Sequence, residues 1–206
     1  MLTALVLSFA TAALASNATG PYGLHIKGKT DTSIDGYGGA CHAGAAIEGI
    51  CYGAGSLNTT ATYSQFYFNY SGYNSETGEV SPYGWVEWQL PYVDQNGETA
   101  FEPEALSFSA NLFSNVAAGL FQPGYEGGTI FQYNENGLLY ITGGYDDRHN
   151  NETYPNPPTY FGNTSSFHLC YQFTGGYYYQ SIAWVSGTAP PQNPSCEPVD
   201  LSLQLI

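Results

Sequence analysis

Apolar and polar positions alternate along much of the chain with a period of two. In residues 84–90, Trp85, Glu87 and Gln89 share one side, and Val86, Trp88 and Leu90 share the other. Near the C-terminus, Val199, Leu201, Leu203 and Leu205 alternate with Asp200, Ser202 and Gln204. This period belongs to β-strands that lay one face on a core. Residues 23–28, 63–70, 106–110, 115–120 and 168–173 predict further strands, since β-branched and aromatic residues fill the runs and Gly, Pro and Asn separate them. Residues 129–142 predict a hairpin, because two β-rich runs flank NENG and Asn136-Gly137 suits a tight turn. In residues 177–185, Tyr178, Gln180, Ile182 and Trp184 face one way, and Tyr177, Tyr179, Ser181, Ala183 and Val185 face the other. The first face carries the bulkier apolar pair and is expected on the core, with both faces covered in part.

Two kinds of segment break the pattern. In residues 35–55, which hold Cys41 and Cys51, positions 43–48 are expected to form one short helical turn closed by a disulfide. Residues 145–161 and 187–194 carry clustered prolines, which remove ladder donors and mark irregular loops. No helical period is sustained and no repeat or linker divides the chain. The expectation is one all-β domain over residues 16–206: an antiparallel β-sandwich or flattened barrel, jelly-roll-like, with little helix.

The first 15 residues stand apart. An apolar run from Leu2 to Leu14 carries no charge and ends in Ala13-Leu14-Ala15, the small-x-small pattern of a signal peptide cleaved before Ser16. The run is too short to span a bilayer, which takes about 20 apolar residues. Export would also explain five Asn-x-Ser/Thr sequons, at Asn17, Asn58, Asn69, Asn151 and Asn163. The four cysteines then read as two disulfides. Of three possible pairings, Cys41–Cys51 and Cys170–Cys196 are expected, because near neighbours meet most easily.

Charge narrows the partners. Three Lys and Arg stand against 17 Asp and Glu, for a net charge of −14. Such a surface repels phosphate backbones and anionic lipid, which excludes nucleic acid and membrane insertion from the expected partners. Only 10% of residues are charged, against roughly 25% in an average domain. Solubility must lean on hydroxyls, amides and attached sugar.

Candidate chemistry is sparse. Glu87, between two tryptophans, would serve as a general acid if buried, but its alternation places it on the wet side of a half-exposed strand. His25, His42, His149 and His168 are scattered, and a mature Ser16 does not suit copper chemistry that needs an N-terminal histidine. Asp146, Asp147 and His149 beside Asn150 resemble a calcium loop only through their oxygen ligands; a solvated acidic loop is expected there, and no metal is assigned. No Gly-x-Ser-x-Gly elbow and no phosphate-binding glycine loop occurs, so neither a catalytic nucleophile nor a nucleotide cofactor is assigned.

The C-terminal third, FHLCYQFTGGYYYQSIAWVSG followed by APPQNPSC, resembles a family of small secreted proteins of filamentous fungi that carry a domain of unknown function. ACHAGAAIEGICYG and SNVAAGLFQPG are similar to the same family. The resemblance implies an extracellular or cell-wall protein and carries over no catalytic residue. WVEW around Glu87 also looks like the nucleophile strand of small jelly-roll xylanases. Thr174-Gly175-Gly176-Tyr177, however, has glycine where their second glutamate would stand.

Three functions are compatible with these features. The favoured one is a non-catalytic protein that binds wall polysaccharide or a host surface through Tyr83, Trp85, Tyr145, Tyr154, Tyr160 and Tyr177, rings that fall on loops or polar strand faces. The alternatives are a glycoside-hydrolase-like enzyme using carboxylates such as Glu87, and an inert structural wall protein.

Overall fold

The structure, a computed structural model, describes residues 18–70, 72, 81–142, 144–146, 159–160 and 162–206. The strands in chain order are β1 (Ala18–Gly28), β2 (Asp35–Gly44), β3 (Ile47–Ala54), β4 (Phe66–Tyr70), β5 (Gly84–Val93), β6 (Thr99–Asn111), β7 (Ser114–Pro123), β8 (Gln132–Tyr133), β9 (Leu139–Thr142), β10 (Tyr145–Asp146), β11 (Thr159–Tyr160), β12 (Asn163–Thr164), β13 (Phe167–Thr174), β14 (Tyr177–Val185) and β15 (Glu197–Leu205). Among the described residues the helical content is a single 3₁₀ turn, Thr62–Ser64.

Ten strands form one sheet in the order β13-β15-β1-β2-β3-β14-β7-β6-β5-β4, and further pairings β13–β14 and β1–β4 join it to itself. The result is a closed barrel, which corrects the sandwich expectation in favour of its barrel alternative. The cause is β1. One edge of it pairs Tyr22–Gly28 with β15, while the other edge is shared: Leu24–Lys27 pair with β2, and Ala18–Tyr22 pair with β4 across a bulge between Thr19 and Tyr22. Pro21, which has no ladder donor, falls inside that bulge. Two layers that share a strand in this way cannot part into separate sheets.

The alternation then fills the interior. Leu24 and Ile26 of β1, Phe66 and Phe68 of β4, Val86 and Trp88 of β5, Leu106, Phe121, Ile182 and the β15 residues Val199, Leu201 and Leu203 form one buried cluster. Phe66 stacks on Phe121 at 5.6 Å, and Phe131 and Phe167 stack at 6.2 Å. Each such ring contributes about 1.5–3 kcal/mol by leaving water.

Strand β14 is apolar on both faces, for two reasons. Ile182 and Trp184 pack on the main cluster, as expected, while Ala183 and Val185 belong to a second small core with Val116, Cys170 and Cys196. The proline-rich loop beyond β14 covers that outer face. The Cys170–Cys196 disulfide staples it down, and Asn115 and Gln192 bond each other's backbone N–H at 2.8 and 2.9 Å. Tyr178, placed on the core side by alternation, projects past the end of the core and is 65% exposed.

The other disulfide, Cys41–Cys51, ties β2 to β3. The expected helical turn at 43–48 is absent: β2 and β3 form a hairpin through it. A helix nucleus of so few residues is unfavourable, and the glycines let the strands come close. A Cβ on Gly38 would lie 2.7 Å from the Ile50 side chain. The 129–142 hairpin is present but shorter than expected, as β8 and β9, with Asn134 Oδ1 accepting from the N–H groups of Asn136 and Leu138.

The β13–β14 turn docks on the β2–β3 turn. Gly175 there has φ +60°, and a Cβ on it would sit 1.4 Å from the Ala43 carbonyl oxygen. Gly175→Ala is expected to cost more than about 2 kcal/mol, combining left-handed strain with a backbone clash. Urea denaturation should show a lower midpoint with an unchanged slope.

Candidate functional site

Of the rings singled out from sequence, Tyr83, Trp85 and Tyr177 do not share one platform. Tyr83 is exposed just before β5, while Trp85 is half-buried with its ring 5.1 Å from Tyr125 and against Gly128. Tyr177, at the start of β14 with β6 and β7 between it and β5, stacks parallel on Tyr179 at 5.9 Å and meets His42 edge-on at 5.1 Å. Tyr145 and Tyr160 are paired across β10 and β11. Tyr154 lies outside the described residues, as do Asp147 and His149 of the acidic loop. Among the described residues no three acidic, His or Cys side chains gather as metal ligands.

A different aromatic group assembles at the barrel's end. Register pairs Phe173 with Tyr178 and Tyr171 with Gln180, which places these side chains on one face of the β13–β14 hairpin. Phe173 is 74% exposed, and Tyr171 and Tyr178 stack at 5.7 Å with their planes 18° apart. The signal lay in the sequence: the Gly175-Gly176 turn fixes the pairing, and its rings fall beyond the last core residue. Across from them, Leu112 and Phe113 form the β6–β7 turn, exposed at 95% and 92%. Contiguous exposed apolar patches are common at binding sites.

Between the two tips runs a groove of about 710 Å³. Val116, Ala118 and Leu120, alternate residues of β7, lie along it. Polar atoms come from Ser109, Asn111, Gln172, Thr174, Gln192 and Asn193. Among the described residues no Asp, Glu, Lys, Arg or His lines it, although the chain's net charge is −14. Its wall is held in place: Asn193 Nδ2 donates to the Tyr171 carbonyl at 2.8 Å, and the Tyr171 N–H donates to Ser195 Oγ at 3.0 Å. Uncharged amides and hydroxyls beside exposed rings suit a neutral, hydroxyl-rich ligand with flat apolar faces.

The carboxylates are arranged differently from expectation. Glu87 lies on the outer side of β5, as its alternation requires, yet it is 2% exposed rather than wet. The segment after β7 brings Tyr125 over it. The Tyr125 hydroxyl donates to Glu87 Oε2 at 2.6 Å, Asn69 Nδ2 donates to the same oxygen at 3.0 Å, and Gln89 Nε2 donates to Oε1. Burial first, then the bond to Glu87, pushes the Tyr125 phenol well above its usual range, so it remains a donor. Glu87 is the one acid among the described residues lining a second cleft of about 490 Å³ on that outer face. Retaining glycoside hydrolysis needs a second carboxyl about 5 Å away.

Two further acids point into the barrel, and the sequence reading missed both. Glu48 pairs with Phe121, which pairs with Leu106, and Glu104 is two residues from Leu106 on the same inward face. The signal was again alternation, since each acid is two residues from a core side chain, Ile50 or Leu106. Glu104 is fully buried, and neither of its oxygens nor Glu48 Oε2 has a fixed hydrogen-bond donor. Two carboxylates cannot bond each other, but a carboxyl and a carboxylate can. Burial, then the bond and the charge of Glu48, push Glu104 up to about 9, so the pair holds a proton at neutral pH. Neither acid lines the groove or the Glu87 cleft.

The sequons also differ in setting. Asn58 and Asn163 are exposed. Asn69 is half-buried, and its Nδ2 is committed to Glu87 and to Tyr125 Oη. Asn17 and Asn151 lie outside the described residues.

Comparison with known proteins finds no matching family model, no matching curated protein and no matching solved structure.

Because the folded pKa of Glu104 lies above its unfolded value of 4.5, the native state holds a proton that the unfolded chain has released. Stability should therefore fall as pH rises from 4.5 towards about 9. Glu104→Gln should melt higher than wild type at the alkaline end of that window, with the gap closing at its acid end. Melting temperatures measured across the window check this. In material made by a eukaryotic secretory host, peptide mapping should find glycan at Asn58 and none at Asn69; folded protein carrying glycan on Asn69 would contradict the bonding above.

Proposed function

We propose that this chain is an exported, glycosylated barrel, as its resemblance to small secreted fungal proteins implies, and that it binds uncharged polysaccharide. The observation that carries the reading is the groove between the β6–β7 and β13–β14 turns, which is lined by amides, hydroxyls and the aromatic residues Tyr171, Phe173 and Phe113 and, among the described residues, by no charged group. Pyranose rings present apolar faces that stack on aromatics, and their hydroxyls match amide and hydroxyl partners. A phosphate, sulfate or acidic ligand would find no cation there.

Export is supported by two disulfides with no free cysteine, the state of an oxidising compartment. No helix among the described residues is long and apolar enough to cross a membrane. Cell wall is the compartment where such a ligand is abundant, and a host glycan surface offers the same chemistry.

Purified protein should be retained on at least one of insoluble β-glucan, chitin or mannan. The double variant Phe113→Ala with Phe173→Ala should lose most of that retention, because each stacking contact is worth roughly 0.5–1.5 kcal/mol. Tyr92→Ala, an exposed ring on β5 away from the groove, is the control and should bind as wild type. Retention on none of the three, or wild-type retention by the double variant, rejects the reading.

A further inference from the structure

The cleft at Glu87 has the opposite electrostatic character from the groove. It lies on the outer face of three neighbouring strands and the residue before them: Gln65 precedes β4, Tyr67 lies on β4, Glu87 and Gln89 on β5, and Phe101 on β6. Thr62 of the 3₁₀ turn completes its rim. Phe101 is 52% exposed and Tyr67 half-buried, so two rings border the space beside a carboxylate.

The bonds to that carboxylate are all from neutral groups. Oε2 accepts from Tyr125 and Asn69, whereas Oε1 accepts from Gln89 alone. A carboxylate has about four lone-pair positions, so Oε1, with one bond, keeps a free one, and Glu87 lines the cleft. Neutral donors spread a negative charge without cancelling it, and a buried charge without a counter-ion is costly. The chain has three Lys and Arg in all. Lys29 is engaged elsewhere, with Asp200 at 3.4 Å and the Ser165 carbonyl at 3.0 Å. Among the described residues no Lys or Arg bonds Glu87, and Arg148 lies outside them, so a ligand would bring the positive partner.

The chemistry of the lining selects among cations. A hard metal ion wants about six or more oxygen ligands, and this cleft offers one carboxylate. An organic ammonium needs one carboxylate and gains from aromatic faces within reach. Thr62, Gln65 and Gln89 add partners for hydroxyl groups. We propose that the cleft binds an amino sugar, its protonated amine on Glu87 Oε1, sharing that oxygen with Gln89, and its ring against Phe101 and Tyr67. The net charge of −14 steers polymers that carry free amines towards the protein. This site stands apart from the groove and does not depend on the reading given for it.

The test is a calorimetric or NMR titration of the intact protein with glucosamine and with glucose, which differ by an amine in place of a hydroxyl, at a pH about two units below the amine pKa of roughly 8. Glucosamine should bind saturably and at least about tenfold more tightly than glucose, the worth of one charge-assisted bond. Glu87→Gln keeps an acceptor for Tyr125 and Asn69 and should erase the difference while leaving retention on polysaccharide at the groove unchanged. Phe101→Ala, at an exposed position, should weaken glucosamine binding several-fold and decides the matter if the Glu87 variant does not fold. Equal affinity for the two sugars, no saturable binding, or a Phe101→Ala protein that binds as wild type overturns the proposal. Equally tight binding of lysine amide would show an ammonium site without sugar selectivity and overturns the amino-sugar assignment.

Discussion

The architecture depends on one strand serving three partners. Strand β1 gives one edge to β15 and divides the other between β2 and β4. Every backbone group along a closed ladder finds a partner, so closure removes the open edges through which sheet proteins aggregate. It also forces the inward alternation of each strand to meet at one interior, where the phenylalanines stack. Opening the β1–β4 junction would expose Phe66 and Phe68 together with two unpaired edges.

Closure leaves an outer face that a chain with few charges must still manage. Two loops do this in different ways. The disulfide-stapled loop over β14 turns part of the outside into a second core. The segment carrying Tyr125 instead covers a charge, seating its phenol on Glu87 beside Asn69. Beside these covers the outer face stays open, as the groove that the stapled loop borders through Gln192 and Asn193 and as the cleft beside Glu87. The two openings differ because one is bordered by hairpin tips free of charge and the other by Glu87, which is buried and bonded by neutral donors.

The interior acids belong to the same economy of charge. Glu48 and Glu104 replace a hydrophobic layer with a proton shared between two strands that are not neighbours, β3 and β6, with β7 between them. A protonated pair suits mildly acidic surroundings, where the self-repulsion of a surface at −14 also relaxes.

Much of the fold was legible in the chain. Period-two alternation placed Val86 and Trp88 inward, Val199, Leu201 and Leu203 inward, and Ile182 with Trp184 on the core. Local pairing of the cysteines was legible because both bridges close short segments, and Asn136-Gly137 marked its turn. Alternation reports which side of a strand a residue occupies, but not what lies above that side. So Glu87 was assigned the correct face and the wrong environment: Tyr125, 38 residues away in sequence, makes it dry. Barrel against sandwich, the placing of Phe173 and Phe113 along one groove, and the meeting of Glu48 with Glu104 were decided only by tertiary structure. Each depends on pairing between strands distant in the chain, which closure dictates and local sequence does not encode.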